Sequence, residues 1–413
     1  MKPPMARQIW LPMLVGLACY WGAIAPAECA PLCVPVEGAP FAATLTAVTS
    51  AWEMTFASDG KPRTLPAADV VQWGTPVEPT ARSWLLLSDG GLLVAEVKEA
   101  DRDRITVDSP LFGELQIPLE LLAGIVLDAP TGHESADRLV QAVRSAQGNS
   151  DQLLLDNGDK LTGSLRAIQM NVTNGTGKLK LEAEVGAVEI AADRVVAVTL
   201  NPTLVAKPAL AGTQALVGLS DGSRLRAGAI ELHTTADQDG TAWITLAGKL
   251  TWQTGAREIV FVQPLEGRAK YLSDVEPAGY RQISFLDTPG AGWELGRDSS
   301  ASGRHLRCGS RLYLKGLGMH SASRVSYEIG PDDRRFEATI GIDDEAGSRG
   351  SVVFRVYVDN EARYASPVLR GGEPPIPISV DIRGGQKLNL IVDFADRGDQ
   401  LDRADWLDAR LVR

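Results

Sequence analysis

The sequence predicts an all-β protein in which tandem small β-barrel or hairpin repeats are followed by a jelly-roll-like β-sandwich. Three observations support this fold class. Glycine and proline are abundant, at 41 and 24 residues, as expected for many short strands joined by turns. Three strand–turn–strand patterns have their turn glycines at Gly90, Gly158 and Gly222, which are 68 and 64 residues apart. The last third of the chain has several short runs in which apolar and polar residues alternate.

The first residues have the pattern of an export signal. Lys2 and Arg7 form a basic start, residues 9–25 are almost free of charge, and Ala25-Pro26-Ala27 matches an A-x-A cleavage site. We therefore predict that residues 1–27 are a cleaved signal peptide and that the protein is periplasmic, secreted or on the cell surface. A retained membrane anchor is the alternative, but the apolar run is short for one. The remaining chain contains no predicted membrane span.

The length of the chain limits the number of domains, and its charge and histidine content exclude some classes of function. A chain of 413 residues has room for two or three domains. Its 41 Lys and Arg and 52 Asp and Glu give a net charge of −11, so loss of Lys2 and Arg7 leaves −13. This balance argues against a nucleic-acid partner, because binding phosphates requires clustered basic residues. With only four histidines, a multi-histidine metal centre is not expected.

Each repeat opens on a hairpin signal, because Asp-Gly and Asn-Gly between apolar runs favour type I′ turns. About five short strands per unit resemble small Sm-like or SH3-like barrels. A helix from Ser135, as its cap, to about Gln147 is predicted as a connector. The predicted organisation is a degenerate N-terminal β segment at 28–82, repeat 1 with the connector helix at 83–147, repeat 2 at 148–210, repeat 3 at 211–267 and a β-sandwich at 268–413.

An ordered series of motifs fills the last segment. Its members are Tyr271-Leu272-Ser273-Asp274-Val275-Glu276-Pro277, Lys315-Gly316-Leu317-Gly318-Met319-His320-Ser321, Gly341-Ile342-Asp343-Asp344, Gly350 to Asp359, and Asp402-Arg403-Ala404-Asp405-Trp406-Leu407-Asp408-Ala409. This series resembles the NPCBM family, a carbohydrate-binding module associated with some glycoside hydrolases. The resemblance implies a jelly-roll-like sandwich whose relatives bind galactose-type sugars, some with calcium nearby.

A sugar site needs an aromatic platform for the C–H face of the ring and a few fixed polar groups for its hydroxyls. Five of the candidates have a structural alternative: Trp406 as core, His320 in a structural hydrogen bond, Asp343 and Asp344 as a turn cap, and Arg355 as a solvated strand residue. The full predicted sugar-binding set is Trp293, Tyr313, His320, Asp343, Asp344, Arg355, Asp405 and Trp406.

Calcium is a further candidate ligand. Asp396, Asp399 and Asp402 place carboxylates close together in the sequence, and a hard cation bound by oxygen ligands would relieve their repulsion. Arg397 and Arg403 are the alternative source of positive charge.

Three function classes remain. The leading prediction is a secreted, non-catalytic protein that binds a galactose-type glycan, with the repeats as scaffold. The alternative is a structural or protein-interaction component of the cell envelope that has no sugar site and whose partners bind the repeats. A glycosidase would need two carboxylates about 5–10 Å apart in a cleft, and no catalytic domain is recognisable beside the module.

Overall fold

The structure is a computed structural model that describes residues 30–171, 176–208, 210, 212–235, 238–283, 292–396 and 398–413. The predicted signal peptide therefore lies outside the described residues. Strands dominate the secondary structure, so the all-β prediction is confirmed. In the described part of the chain, no helix is both long enough and apolar enough to cross a bilayer.

The N-terminal half consists of four similar strand groups. In the first group, the strands are β1 Leu32–Pro35, β2 Phe41–Ala42, β3 Thr44–Val48, β4 Glu53–Ser58, β5 Lys61–Pro66 and β6 Val70–Gly74. The second group has β7 Trp84–Leu87, β8 Leu92–Val94, β9 Glu96–Ala100, β10 Arg104–Ser109, β11 Gly113–Pro118 and β12 Leu122–Val126, followed by helix α1 His133–Arg144. The third has β13 Asp151–Leu155, β14 Lys160–Asn171, β15 Thr176–Ala183, β16 Gly186–Ala191 and β17 Val195–Thr199. The fourth has β18 Gln214–Leu219, β19 Arg224–Thr235, β20 Gln238–Leu246, β21 Thr251–Gly255 and β22 Ile259–Leu265.

A short 3₁₀ turn precedes the last strand of every group, at 67–69, 119–121, 192–194 and 256–258. The turn glycines Gly90, Gly158 and Gly222 lie in hairpins, each with positive φ. The predicted hairpins are therefore confirmed, but the predicted type I′ turn is wrong, because that turn needs positive φ at two residues and Asp89, Asn157 and Asp221 do not have it.

The groups associate in pairs through their edge strands. β6 of the first group pairs with β22 of the fourth, and β12 of the second pairs with β17 of the third. β19 also pairs with β3, and β14 pairs with β9. One continuous apolar core runs through all four groups. This pairing covers sheet edges that isolated repeats would leave exposed.

Helix α1 packs an apolar stripe of Leu139, Val140 and Val143 against the second and third groups. The predicted cap was wrong, because the helix begins at His133 with Gly132 at the N-cap position, and Ser135 lies inside the first turn. Arg144 is its last residue.

The C-terminal third is a sandwich of two antiparallel sheets. Its strands are β23 Ala269–Tyr271, β24 Gly279–Gln282, β25 Gly296–Arg297, β26 Leu306–Cys308, β27 Arg311–Tyr313, β28 Gly316–His320, β29 Ser323–Glu328, β30 Arg335–Ile342, β31 Ser351–Val358, β32 Glu361–Ala365, β33 Leu369–Arg370, β34 Ile376–Asp381, β35 Lys387–Phe394 and β36 Arg403–Val412. The first sheet has the order β25-β28-β36-β30-β34, with β23 beside β36. The second has the order β24-β29-β35-β31-β32, with β33 beside β31. The apolar core lies between these sheets.

A network of buried ionic contacts joins the sandwich to the repeats. The Arg307 guanidinium binds Asp137 of helix α1 and places Nε 2.8 Å from Glu78 Oε1. The Nδ1 atom of His305 lies 2.5 Å from Asp137 Oδ1. In a second contact between the two parts, the Tyr271 hydroxyl donates to the Val71 carbonyl at 3.0 Å. The sandwich is therefore anchored at two places.

Candidate functional site

The outer face of the first C-terminal sheet is covered by residues 297–313, here called the cover segment. Glycines on that face permit a close approach. A Cβ at Gly318 would lie 2.4 Å from the Ser299 carbonyl oxygen, and one at Gly341 would lie 2.4 Å from Cys308 Sγ. The Gly-Leu-Gly motif at 316–318 therefore lets the cover segment lie directly on the sheet backbone.

Next to this cover, Trp293 stacks on His320. Their rings are 4.6 Å apart and inclined by only 2°. Trp293 is partly exposed, whereas His320, at the end of β28, is 4% exposed. The Tyr280 hydroxyl donates to the Trp293 carbonyl at 3.0 Å, and Trp293 N donates to Gln282 Oε1 at 3.3 Å. These bonds fix the backbone of Trp293, which carries the partly exposed indole.

The protonation state of His320 follows from one hydrogen bond. Its Nδ1 lies 2.8 Å from the Ser321 carbonyl oxygen, which can only accept, so Nδ1 carries the hydrogen. Desolvation lowers the pKa of His320 below its usual value, although the Ser321 bond opposes the shift. A neutral ring with its proton on Nδ1 leaves Nε2 as a hydrogen-bond acceptor.

Arg403 adds a donor beside this pair. It is the register partner of His320 across β28 and β36, so the two side chains share a sheet face. Its guanidinium carbon lies 5.7 Å from the centre of the Trp293 ring. Its Nη1 lies 3.4 Å from Glu345 Oε2, whereas its buried Nε has no hydrogen-bond partner among the described residues.

Glu345 holds Arg403 in position. The carboxylate also binds Arg304 Nη1 at 2.9 Å and accepts from the Ser302 hydroxyl at 2.7 Å. Arg304 in turn reaches Glu134 of helix α1 at 2.6 Å. The arrangement therefore offers an aromatic surface, an acceptor nitrogen and a fixed guanidinium, which are the groups that a neutral polyhydroxylated ring requires.

A comparison with protein families identifies the domain to which these residues belong. Residues 268–412 match the family described as NPCBM/NEW2 domain. The C-terminal third is an NPCBM/NEW2 domain.

Two curated relatives share part of the chain. A Renibacterium salmoninarum protein named "Putative endo-alpha-N-acetylgalactosaminidase" is 30% identical over 192 residues, which are 44% of this chain and 13% of that protein. The alpha-1,3-galactosidase B of Akkermansia muciniphila is 34% identical over 129 residues, which are 30% of this chain and 16% of that protein. The chain thus spans less than a fifth of either relative.

Solved structures with similarity include two from Clostridium perfringens. The CBM51 of a GH95 protein in complex with methyl-galactose is 27% identical, covers 35% of this chain and 99% of its own, and has a TM-score of 0.31. The CBM51-2 and INT domains of ZmpB, with CBM51-2 bound to GlcNAc, are 24% identical, cover 45% of this chain and 40% of their own, and have a TM-score of 0.32.

Within the NPCBM/NEW2 domain, two of the predicted sugar contacts, Trp406 and Asp405, are wrong. Trp406 is fully buried between the sheets, where its ring meets Phe336 and Phe354 edge-on at 5.8 and 4.9 Å. Asp405 is also fully buried, because it lies on the opposite face of β36 under the cover segment. Strand alternation placed both residues correctly on β36 but did not show that both faces are covered.

Asp343 and Asp344 mainly accept hydrogen bonds from backbone nitrogens. Asp343 caps the 3₁₀ turn 344–346 by accepting from Glu345 N at 2.9 Å, and desolvation raises its pKa to about 6. Asp344 accepts from the backbone nitrogens of Gly309 and Ser310 at 2.9 and 2.8 Å. The structural alternative that the sequence left open for this pair is the one observed.

Tyr313 and Arg355 lie elsewhere in the domain. Tyr313 is 8% exposed and lines clefts between the domain and the repeats. Arg355 forms an ion pair with Asp393 at 2.6 Å across β31 and β35 of the second sheet. From the predicted set, the structure therefore brings together Trp293 and His320 as a stacked pair and, separately, Asp343 and Asp405 as a buried carboxyl pair.

The carboxylates predicted for calcium have other partners. Asp396 binds Arg370 at 2.7 Å. Asp402 is fully buried and accepts from the Ser321 hydroxyl at 2.7 Å and from Ser351 N at 2.8 Å. Desolvation raises the pKa of Asp402 to about 6. Across the described ranges, no group of three or more His, Cys, Asp or Glu is arranged to hold a metal. Calcium binding at Asp396, Asp399 and Asp402 stays a prediction.

Sequence reasoning missed Gln282, Glu345 and Arg403 as parts of the site. Arg403 precedes the Ala404-Asp405-Trp406 motif, and its register opposite His320 is the signal that could have identified it. Gln282 ties the Trp293 loop to the Ser321 carbonyl, which it reaches at 3.2 Å through Nε2. This role of Gln282 depends on contacts between segments that are distant in the sequence, and such contacts cannot be predicted from the sequence pattern.

Proposed function

We propose that this protein is an exported, non-catalytic glycan-binding protein whose NPCBM/NEW2 domain holds a galactose-type sugar on Trp293. The observation that carries the proposal is the partly exposed Trp293 ring stacked on His320 beside Arg403. In this account, the repeats are the scaffold that fixes the orientation of the domain.

The chemistry of each group suits a sugar. The apolar C–H face of a pyranose packs on the exposed part of the indole. The neutral His320 accepts a hydroxyl hydrogen at Nε2. The unpartnered Nε of Arg403 donates to a neighbouring hydroxyl oxygen, which would also satisfy a buried donor.

The choice of a galactose-type sugar is supported by the names of the curated relatives. One is named for α-N-acetylgalactosamine and the other for α-1,3-linked galactose. These sugars share an axial 4-hydroxyl next to an equatorial 3-hydroxyl. A single guanidinium can contact two such adjacent oxygens, because its donors form a planar fork.

The carboxylates near the site support a binding role rather than glycoside hydrolysis. Glu345 is committed to Arg304 and Arg403. Asp343 and Asp405 are 2% and 0% exposed, so neither faces a cleft that admits a sugar. A glycosidase would present two accessible carboxylates across the scissile bond.

A second candidate role, binding of an envelope protein by the repeats, is favoured by one observation. Val185 and Leu204 are 91% and 72% exposed and line one groove of the third strand group. Adjacent exposed apolar side chains are typical of protein-contact surfaces. This role is compatible with sugar binding by the C-terminal domain.

Isothermal titration of the full chain with methyl-galactoside tests the proposal. We expect heat of binding that weakens by roughly tenfold or more in Trp293→Ala, which loses the stacking surface. Trp243→Ala is the matched control, because Trp243 is a 41% exposed tryptophan on β20 of the repeats. Absence of heat with every neutral glycan tested, or equal affinity in Trp293→Ala, would refute the proposal.

Sequencing of the mature N-terminus tests export, with residue 28 as the expected start.

A further inference from the structure

A second site is indicated where the repeats meet the NPCBM/NEW2 domain. Two cavities of about 230 and 240 Å³ lie in this interface, and both are lined by Arg224 and His305. Arg224 comes from β19 of the repeats, and His305 comes from the cover segment. The two cavities therefore adjoin at these shared residues, and each has walls from both parts of the chain; together they are here called the interface cleft.

Arg224 enters this cleft without a counter-ion of its own. Its buried Nη1 has no hydrogen-bond partner among the residues that the structure describes. The carboxylates of Glu78 and Asp137 are nearby, but both are engaged by Arg307, and Asp137 also binds His305. A buried guanidinium nitrogen without an acceptor is costly, which favours an acceptor supplied from outside.

Arg144 approaches the same cleft from the last turn of helix α1. Its Nη2 donates to the carbonyl oxygens of Gly90 and Gly91 at 2.7 and 2.9 Å, which are neutral acceptors. Desolvation of the guanidinium, followed by the like charge of Arg224, lowers the pKa of Arg144 to about 10. Two cations therefore face each other across a small space.

The acidic residues on the same wall are already occupied. Asp274 and Asp298 both bind the Lys315 ammonium, at 2.6 and 2.8 Å. Asp89 accepts from Gly91 N at 2.9 Å. These contacts leave the donors of Arg144 and Arg224 without a carboxylate hydrogen bond among the described residues.

We propose that the interface cleft binds the carboxylate or sulfate group of an acidic sugar between Arg144 and Arg224. Planar guanidinium groups bind two oxygens of such an anion at once. Tyr313 lines the same cavity as Arg144 and Arg224, and Trp84 lines the adjoining cavity. The site is separate from the Trp293 site, so neither depends on the other.

Titration of the full chain with sodium sulfate, with glucuronate and with methyl-galactoside, at constant ionic strength, tests this site. We expect binding of glucuronate to weaken at least tenfold in Arg224→Met, while methyl-galactoside binding is unchanged. Arg257→Gln is the matched control, because Arg257 lies on the same strand group and forms an exposed pair with Asp239. Because Arg224 lacks a hydrogen-bond partner at Nη1, Arg224→Met is also expected to unfold at no lower temperature than the wild type.

Each outcome decides the proposal. Binding of glucuronate, with or without binding of sulfate, supports the acidic-sugar site. Binding of sulfate alone overturns the acidic-sugar ligand, because the site then holds only a free anion. Binding of neither anion overturns it, and so does equal binding by wild type and Arg224→Met. If Arg224→Met does not fold, Arg144→Gln replaces it, with circular dichroism as the check on folding. Failure of the methyl-galactoside arm alone bears on the proposed function and leaves this site standing.

Discussion

The buried carboxyl pair of Asp343 and Asp405 makes the stability of the sandwich depend on pH. Desolvation, and next the Asp343 charge, raise the pKa of Asp405 well above its usual value. Asp405 thus keeps a proton in the folded state that an unfolded chain releases near pH 3.8. Its carboxylic hydrogen can then be donated to Asp343.

The magnitude follows from proton linkage. Above the unfolded pKa, the folded state holds one proton more than the unfolded state, so the free energy of unfolding falls as pH rises. Each pH unit in that range costs about 1.4 kcal/mol per proton. Asp405→Asn replaces the carboxylic donor by an amide that donates at every pH. We therefore expect the free energy of unfolding to fall more steeply with rising pH in wild type than in Asp405→Asn, by at most about 1.4 kcal/mol per pH unit.

Amide hydrogen exchange of peptides from β36, corrected for intrinsic rates, measures the opening free energy of this domain separately from that of the repeats. Asp396→Asn is the control, because it removes one exposed carboxylate that is paired with Arg370. Its pH slope is expected to match that of the wild type. Parallel slopes for wild type and Asp405→Asn would refute the shared-proton reasoning.

Three further predictions concern packing, the domain interface and the support of the site. Trp406→Ala should destabilise the sandwich by about 3–5 kcal/mol because it leaves a cavity in the core, whereas Trp293→Ala should change the urea denaturation midpoint of the sandwich little. The reverse order of effects would contradict the placement of both residues. Arg307→Ala should destabilise the interface by up to about 3–5 kcal/mol, because it removes the guanidinium partner of the buried Asp137 and leaves only His305 bound to that carboxylate. It should also increase proteolysis between the domains, whereas Arg82→Ala in an exposed pair should not; equal proteolysis of the two variants would count against the ionic anchor. Asp402→Ala should lower the free energy of unfolding by about 1–3 kcal/mol, because the Ser321 hydroxyl and Ser351 N lose their acceptor. This decrease should be the same with a chelator and with calcium; a decrease seen only with calcium would instead indicate a bound cation.

Local chemistry determined what the sequence could predict. The Asp-Gly and Asn-Gly turns are fixed by residues within the hairpin, so Gly90, Gly158 and Gly222 were located correctly. The association of strand groups in pairs, such as β6 with β22, joins residues almost 190 positions apart. No pattern in either segment specifies that partner.

The same distinction applies to the candidate site. Trp293 and His320 could be proposed from residue type, because aromatic and imidazole groups suit sugars. Residue type also suggested Trp406, but this side chain lies in the core. Alternation along β36 could not reveal this, because it does not show that both faces of the strand are covered. Arg403 could be assigned to the site only once its register opposite His320 was known.

A crystal structure of the full chain with bound methyl-galactoside tests the central claim most directly. The account predicts the sugar ring against the exposed part of Trp293, with one hydroxyl within hydrogen-bond distance of His320 Nε2 and another near Arg403. A sugar bound elsewhere on the chain, with the Trp293 surface empty, would contradict it.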